Sequence, residues 1–498
     1  MASEFQTIWR HGRIYGLGSM INRLSSLLLI PILLHNITAE AWGVYVLILL
    51  VGNFLVIIPS ALNDTMNPLY FEREDEARRR RVVATTLGLY AIFATVFLLL
   101  TYPLAVLTGA LMFDQQTYLI PLLLALISVA FEVLFEIELD YLRARKRSGL
   151  FIALSCFRSV TQLGLGIALV VVLHMGITGV VIGHLVSYLL VALPTAVYVI
   201  RQVGFGLDRA IAREMFTMAG PLVPAWFAKA SLELVERALL NVMVSTAVMG
   251  VYAFGSKLVV QLRPLFSAPF ADIWSVRLLE VAANPERAPE FNRVFVFFIA
   301  ALATAALGIA LYAPELVRLL AAEGFWDARL VVPLLALSYL ARPSYYHFER
   351  LIIQSKRTSY LALVNWLTVG AAVIALVILV PPFGLLGAAM AEFATRLVRL
   401  ALAVWSASRC SKLTALFPWQ SFAMVVAGAV ACYLLSAAIL GTEMGLIATP
   451  AKMAFAALFL LWVLHGPCLK PDEREAVRRT LAEKLGRLRG RLAGSTGA

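Results

Sequence analysis

The sequence predicts an all-α integral membrane protein, and three observations indicate this fold class. Of the 498 residues, 61% are apolar and 14% are charged, whereas soluble domains average about 45–50% and about 25%. The mean hydropathy is +0.84. The apolar residues form runs of about 20, the length that crosses a bilayer as a helix. A transmembrane barrel would alternate polar and apolar residues in short strands, so these runs exclude it. The apolar fraction and the four cysteines exclude disordered and disulfide-rich chains.

Fourteen segments are long and apolar enough to span a bilayer. They lie at residues 14–35, 42–61, 82–107, 118–140, 150–173, 178–200, 218–243, 247–270, 294–318, 329–348, 360–380, 384–406, 420–440 and 446–465. A polar break at Thr108, Gly109 and Asp114 separates the third span from the fourth. The first segment has no small-residue cleavage site after it, so we expect a retained span rather than a signal peptide.

Lys and Arg are concentrated in alternate loops. With the N-terminus in the cytosol, the inner loops and the tail hold most of the 42 basic residues, and the outer loops hold Arg329 alone. Because cytosolic loops are enriched in Lys and Arg, both termini are predicted to be cytosolic. The net charge of +12 then reflects topology, so no nucleic-acid partner is expected. The basic tail, 467–498, fits either an amphipathic helix on the inner leaflet or a solvated segment.

Three short motifs recur at an offset of 207 to 210 residues, each at the same place in its span. They are Gly43-Val44-Tyr45 with Gly250-Val251-Tyr252, Lys146-Arg147 with Lys356-Arg357, and Gly176 and Gly179 with Gly384 and Gly387. An offset of six spans preserves orientation, which predicts two six-helix lobes related by a pseudo-two-fold axis along the membrane normal. The expected lobes are 1–200 and 218–410, joined by a hinge at 201–217. Two extra helices, 411–466, have no counterpart.

Eight basic residues within the spans are candidate ligands for an anionic passenger: Arg23, Arg158, Lys229, Arg237, Lys257, Arg263, Arg342 and Arg396. A charge at the bilayer centre costs about 2.5–3.5 kcal/mol on insertion scales, so such residues usually face a bundle interior or a watery cavity. The excess of cations favours phosphate, pyrophosphate or an acidic sugar. Alternatively, Arg158, Arg263 and Arg342 lie close enough to the cytosolic side to extend their side chains to it.

Four carboxylates are candidates for coupling to a proton or another ion: Glu132, Glu136, Glu233 and Glu392. Glu233 lies between Lys229 and Arg237 at i, i+4 steps, hence on one helix face. The alternative roles are structural, because Glu392 with Arg396 fits a packing ion pair, and Glu132 and Glu136 fit pairs with neighbouring arginines. No metal-binding, cofactor-binding or catalytic motif is found, so the sequence predicts a transporter rather than an enzyme.

Three segments resemble the Wzx-type polysaccharide flippases of the multidrug/oligosaccharidyl-lipid/polysaccharide (MOP) superfamily. They are LLLIPILLHNITAEAWGVY at 27–45, GPLVPAWFAKASLELVERALLNVMVSTAVMGVYAFGSKL at 220–258 and FGLLGAAMAEFATRL at 383–397. The resemblance covers the first twelve spans. It implies alternating access around a cationic cavity and a passenger of oligosaccharide on undecaprenyl pyrophosphate. It also implies the bacterial cytoplasmic (inner) membrane, and a polysaccharide polymerase and assembly proteins as partners. Related flippases for the peptidoglycan precursor carry arginines in the regions of spans one and seven, where Arg23, Lys229 and Arg237 lie here.

Three alternatives remain open on the sequence. A cation-coupled multidrug exporter of the same superfamily would favour carboxylates over cations in its cavity. A membrane glycan polymerase or ligase would typically carry a sizeable outer loop with an acidic motif, whereas the outer loops here span about ten residues at most. A non-transporting scaffold in a glycan assembly complex would not need charges within its spans.

Overall fold

The computed structural model describes residues 28–72, 74–113, 118–221, 223–267, 270–271, 274, 277–278, 288–355, 357, 359–411, 413–414, 417–441 and 448–465. Nearly all of these residues are helical, and no strand occurs among them. The prediction of an all-α protein is therefore confirmed. The predicted amphipathic tail at 467–498 lies outside the described residues.

Nine α-helices lie between residues 39 and 260 of the described chain. They are α1 (Ala39–Leu55), α2 (Ile57–Glu72), α3 (Glu76–Met112), α4 (Leu119–Ala144), α5 (Ser148–Gly166), α6 (Gly176–Val203), α7 (Arg209–Ala219), α8 (Val223–Met243) and α9 (Thr246–Val260). Residues 28–36 are also helical. Short π-helical turns follow α5, at Ile167–Val172, and α9, at Arg263–Ser267.

Seven helices follow in the remaining described chain. They are α10 (Ala288–Leu311), α11 (Ala313–Leu320), α12 (Ala328–Tyr339), α13 (Ala341–Gln354), α14 (Ser359–Ser408), α15 (Trp419–Leu440) and α16 (Ala448–His465). A 3₁₀ turn, Glu323–Phe325, precedes α12.

Among the described residues, seven helices are long and apolar enough to cross a membrane, or eight if α1 and α2 form one span with a 56° bend. The seven are α3, α4, α5 with its π turn, α6, α10, α14 and α15. The other predicted spans correspond to helices that are shorter or more charged, except the first, which is only partly described. The protein is thus a multi-pass membrane protein, and the number fourteen stays a prediction.

Helix α14 contains a break where the sequence predicts the boundary between two spans. Gly384 has φ +53° and ψ −123°, outside the helical region, and follows Pro381 and Pro382. A straight helix of 50 residues would extend about 75 Å, more than twice the thickness of a hydrocarbon core of about 30 Å. The break therefore allows one continuous helical stretch to supply two spans.

The described helices form two compact units. The first contains Met1–Ala253, Leu319–Trp326 and Leu376–Gly384, and the second contains Phe254–Arg318, Asp327–Ala375 and Leu385–Ala498. The lobe boundaries expected from the repeat stay a prediction, because the units are defined by contacts and the lobes by internal symmetry.

Helix α7, within the segment predicted as a hinge, packs into the core of the first unit. Ile211, Met215 and Ala219, spaced by four residues, lie against buried residues of α2, α3 and α4. The preceding chain passes so close to α3 that a Cβ on Gly88 would lie 2.6 Å from the carbonyl oxygen of Gly206. This close approach requires glycine at position 88.

In the second unit, α10 packs against α12, α15 and α16. The Tyr312 hydroxyl, beside α11, donates to the Thr449 carbonyl at 2.8 Å, and Lys452 of α16 forms a buried ion pair with Glu315 of α11. These contacts attach the last helix, which has no counterpart in the repeat, to the body of the second unit.

Candidate functional site

Five side chains of α4, α5 and α6 form a connected polar network in the first unit, here called the Glu132 cluster. Glu132 accepts a hydrogen bond from the Tyr188 hydroxyl at 3.0 Å, and its second oxygen lies 3.5 Å from His184 Nε2. Gln162 Nε2 lies 3.2 Å from His184 Nδ1. Arg158 donates to Gln162 at 2.8 Å and stacks 4.9 Å from the Tyr188 ring centroid. Arg158 is therefore half-buried and engaged within the unit.

The remaining carboxylates of that face of α4 have different surroundings. Glu136 is exposed. Asp140 accepts hydrogen bonds from Asn63 and Arg143, each at 2.8 Å. Pairing with a neighbouring arginine thus describes Asp140, whereas Glu132 pairs with Tyr188 and His184.

Glu138, on the opposite face of α4, is a carboxyl group that sequence reasoning did not single out. Its exposed fraction is 0%, and neither carboxylate oxygen has a hydrogen-bond partner among the described residues. A buried polar group without a partner carries its full desolvation cost. Glu138 is therefore chemically distinct from the other carboxyl groups of α4.

Helix α8 presents the predicted series of charges at i, i+4 spacing. Lys229 and Glu233 are exposed, and Arg237 is half-buried. The Arg237 guanidinium lies 4.4 Å from the ring centroid of Tyr252 on α9. The structure thus pairs one of the three charges with an aromatic ring of the next helix.

The structure describes two of the three further predicted ligands. Lys257 is exposed on α9, and Arg263 is exposed in the π-helical turn that follows it. Arg23 lies outside the described residues.

The second unit contains a larger cationic group, here called the arginine–tyrosine cluster. It comprises Arg342, Arg396, Arg399, Tyr339, Tyr345 and Tyr346. The guanidinium carbons of Arg342 and Arg396 lie 5.5 Å and 5.9 Å from the Tyr339 ring centroid. Arg342 also donates twice to the Tyr346 hydroxyl, each time at 3.1 Å. Two arginines thus contact one tyrosine ring.

The third arginine of the cluster is held by a second tyrosine. Arg399 lies 4.1 Å from the Tyr345 ring centroid and donates to the Tyr345 hydroxyl and to Asn365, both at 3.1 Å. The Tyr345 hydroxyl donates to Glu349 at 3.1 Å. Glu392 accepts a hydrogen bond from Arg396 Nε at 2.9 Å, the ion pair that its spacing allows. In the described part of the chain, three arginines therefore share their surroundings with two carboxylates.

The two clusters occupy equivalent positions in the repeat. The 208-residue offset that aligns Gly176 with Gly384 also aligns His184 with Glu392 and Tyr188 with Arg396. The same helix positions thus support a network with one carboxylate and one arginine in the first unit, and a network with three arginines and two carboxylates among the described residues of the second.

Four neutral members of the two clusters were missed by sequence reasoning, which concentrated on charges: Gln162, Tyr188, Tyr339 and Tyr346. Gln162 follows Arg158 by four residues, Tyr188 follows His184 by four, and Tyr346 follows Arg342 by four. Polar or aromatic side chains one helical turn from an intramembrane charge were the signal that could have found them.

Among the described residues, neither a metal site nor an apolar cavity of the second unit adds to these clusters. No group of three or more His, Cys, Asp or Glu side chains that could hold a metal occurs in the described part of the chain. An apolar cavity of about 310 Å³ in the second unit is lined by α10, α12 and α15, mostly by alanine and leucine. It contains no charged residue, so it does not suit the predicted anionic passenger.

Comparison with known proteins finds similar structures but no similar family profile or curated sequence. Lipid II flippase MurJ in an inward closed conformation matches with a TM-score of 0.70 and 12% identity, over 90% of this chain and 98% of that one. An inward-facing MATE multidrug transporter of the MOP superfamily matches with a TM-score of 0.65 and 13% identity, over 79% and 95%. A MOP superfamily transporter from Pyrococcus furiosus, described by the reverse polarity of its binding pocket, matches with a TM-score of 0.58 and 13% identity, over 82% and 96%.

These likenesses establish the fold. The chain has the fold of MOP superfamily transporters, shared by MurJ and the MATE exporters. At 12–13% identity the likeness concerns the fold alone, so the passenger has to be inferred from this chain's own side chains.

Proposed function

We propose that this protein is a flippase for cell-surface polysaccharide synthesis. It moves oligosaccharide repeat units linked to undecaprenyl pyrophosphate from the inner to the outer leaflet of the bacterial cytoplasmic membrane by alternating access. The observation that carries the proposal is the arginine–tyrosine cluster, in which three arginines lie among two carboxylates. Guanidinium groups bind phosphate oxygens through paired hydrogen bonds, so an arginine surplus within a membrane protein suits a pyrophosphate or an acidic sugar.

The transporter fold supports the proposal from a second direction. A lipid-linked glycan combines a headgroup too polar to cross hydrocarbon with a polyprenyl tail that is stable in it. Alternating access provides a hydrated path for the headgroup while the tail stays in lipid. The MurJ protein, which shares this fold, is named as a flippase of lipid II.

Within this mechanism the two clusters have different roles. Arg237, Lys229 and the arginine–tyrosine cluster attract the anionic headgroup, and tyrosine rings contact sugar faces. The Glu132–His184 pair is the candidate for coupling, because Asp, Glu and His chains carry protons through membrane transporters. A polysaccharide polymerase and assembly proteins would receive the passenger at the outer leaflet.

The proposal is tested first by the lipid-linked glycans of cells that lack this protein. We expect mass spectrometry to detect one complete repeat unit on undecaprenyl pyrophosphate, protected from a membrane-impermeant glycosidase added outside. Complete units accessible from outside would contradict the proposal and favour a polymerase or ligase.

The residue-level prediction concerns α8. Replacing Arg237 or Lys229 with alanine should abolish translocation at normal expression, because each change removes a cation that attracts the headgroup. The matched control is Arg213→Ala, an exposed arginine of α7 outside the predicted spans, which should export glycan normally. Normal export by both α8 variants would refute their role.

A cation-coupled multidrug exporter is the second candidate, and a specific observation favours it. Glu132, Glu136 and Asp140 place three carboxylates along α4, which suits a cationic drug, and MATE exporters share the fold. Normal lipid-linked glycans together with altered drug tolerance in the deletion strain would support this function instead.

A further inference from the structure

Two arginines of the arginine–tyrosine cluster direct the same edge of the guanidinium group at an acceptor within the protein. Arg342 donates from Nε and Nη2 to the Tyr346 hydroxyl, each at 3.1 Å. Arg396 donates from the same two nitrogens to one carboxylate oxygen of Glu392. Arginine binds a phosphate group through two parallel N–H groups, one to each oxygen. In both arginines, the two N–H groups that could bind a phosphate in this way converge on one internal oxygen instead.

Each internal acceptor lies one helical turn from its arginine, on the same helix. Glu392 and Arg396 belong to α14, and Arg342 and Tyr346 belong to α13. Side chains four residues apart lie next to each other on a helix surface, so neither pair depends on a neighbouring helix for its geometry. A change of side-chain rotamer is enough to separate either pair, and no helix has to move.

The charge balance of the cluster gives the Glu392–Arg396 ion pair a role in transport. A buried cation without a counter-ion costs several kcal/mol. In alternating access, the protein returns to the cytosolic side without its passenger, so an arginine that binds the passenger needs another anion for that part of the cycle. Glu392 is buried and is already paired with Arg396, so it can supply that anion.

The exposure of the two partners indicates which one an incoming anion reaches. The exposed fraction of the Arg396 side chain is 24%, whereas that of the Glu392 side chain is 8%. The Tyr339 ring, against which Arg396 lies, is uncharged and does not compete for the guanidinium as an anion does. A phosphate group therefore meets the arginine before it meets the carboxylate.

We propose that Glu392 is an internal counter-ion that the passenger displaces. Pyrophosphate oxygens replace the carboxylate on Arg396, and the carboxylate pairs with the arginine again when the passenger leaves. Tyr346 has the uncharged counterpart of this role at Arg342. The proposal deepens the proposed function and rests on it. Because binding has to break an ion pair, Glu392 lowers the affinity for the passenger and allows its release at the outer leaflet.

Binding of inorganic pyrophosphate to the purified full-length protein in detergent tests the displacement, with isothermal titration calorimetry as the measurement. Glu392→Gln should lower the dissociation constant by about tenfold, equivalent to about 1.4 kcal/mol, because a neutral amide competes less well for the guanidinium than a carboxylate does. An unchanged or higher dissociation constant would overturn the proposal.

Glu349→Gln is the matched control, because it removes the same charge from the same surroundings. In the described part of the chain, Glu349 accepts its hydrogen bond from Tyr345 rather than from an arginine. The dissociation constant of this variant should therefore fall much less than that of Glu392→Gln. Equal tightening by the two variants would assign the effect to net charge and overturn the displacement.

A second variant keeps a negative charge beside Arg396, so it is less exposed to a folding defect. Glu392→Asp shortens the side chain by one methylene group and weakens the ion pair. Pyrophosphate should bind to it more tightly than to the unchanged protein and less tightly than to Glu392→Gln. Binding no tighter than that of the unchanged protein, at an unchanged melting temperature, would contradict the displacement.

The same titrations separate this proposal from the proposed function. If the unchanged protein binds pyrophosphate and Glu392→Gln binds it no more tightly, the displacement fails and the proposed function stands. If the unchanged protein and every variant bind no pyrophosphate, both fail.

Discussion

At the residue scale, arginine in this protein is repeatedly held against tyrosine. In the described part of the chain, the guanidinium carbons of seven arginines lie 4.1–5.9 Å from a tyrosine ring centroid: Arg79, Arg147, Arg158, Arg237, Arg342, Arg396 and Arg399. A ring face attracts a cation through its quadrupole, with about 0.5–2 kcal/mol of stabilisation, but it carries no net charge. A carboxylate partner neutralises an arginine, as Glu392 does for Arg396, whereas a tyrosine orients the cation and leaves its charge available to an anion. The proposed site for a phosphate-bearing passenger would depend on the arginines whose charge is left available in this way.

The buried carboxyl groups of α4 give a residue-scale prediction for stability. Replacing Glu138 with methionine should raise the free energy of unfolding by about 1–3 kcal/mol, because the change removes a fully buried polar group that has no hydrogen-bond partner among the described residues. Glu132→Met is the matched control on the same helix. It should lower stability, since Tyr188 and His184 lose their partner. Thermal unfolding in detergent measures both, and a lower melting temperature for the Glu138 variant would contradict the expectation.

At the element scale, the segment predicted as a hinge is anchored rather than free. Asp208 caps α7 by accepting from the amides of Ala210 and Ile211, and its own amide donates to Thr85 at 3.1 Å. Arg78 donates to Glu214 of α7 at 2.8 Å. These contacts bind α7 to α3. If the lobes rock about this segment during transport, we therefore expect α7 to move with the first unit.

The cap of α7 gives the element-scale prediction. Asp208→Ala should destabilise α7 by about 1 kcal/mol, since it removes the N-cap, and hydrogen exchange of the α7 amides should accelerate accordingly. Asp208→Asn keeps the capping oxygen and loses only the charge opposite Arg81 at 3.5 Å, so its exchange should stay close to that of the unchanged protein. Equal acceleration in the two variants would assign the effect to the ion pair instead.

At the scale of the whole molecule, the topology predicted from Lys and Arg can be tested with two glycines that have open space around them. An added Cβ at Gly109, near the end of α3, or at Gly149, at the start of α5, meets nothing within 4 Å. In a background with the four cysteines replaced by serine, Gly109→Cys should react with an impermeant maleimide in intact cells. Gly149→Cys should react only after the membrane is permeabilised, because the basic loop before it is predicted to be cytosolic. The opposite pattern would invert the predicted orientation.

The fold was largely predictable from local sequence, and the polar clusters only in part. The boundary between two spans at Gly384 and the i, i+4 pair of Glu392 with Arg396 follow from residues close together in the chain. Tyr188 with Glu132 and Arg399 with Asn365 are separated by 56 and 34 residues, and no pattern in the sequence pairs them. Helical spacing defines which side chains share a face, but it leaves open which helix that face meets.

The sequence by itself therefore determined that this is a multi-pass helical membrane protein with an internal repeat, because span length, charge asymmetry and recurring motifs are properties of the chain alone. Only the tertiary structure decided which charges are held by tyrosines and that Glu138 is buried without a hydrogen-bond partner among the described residues. It also brought Gly43 and Gly250, which the repeat relates, into contact. These features depend on how each helix is rotated against its neighbours, and packing between helices sets that rotation.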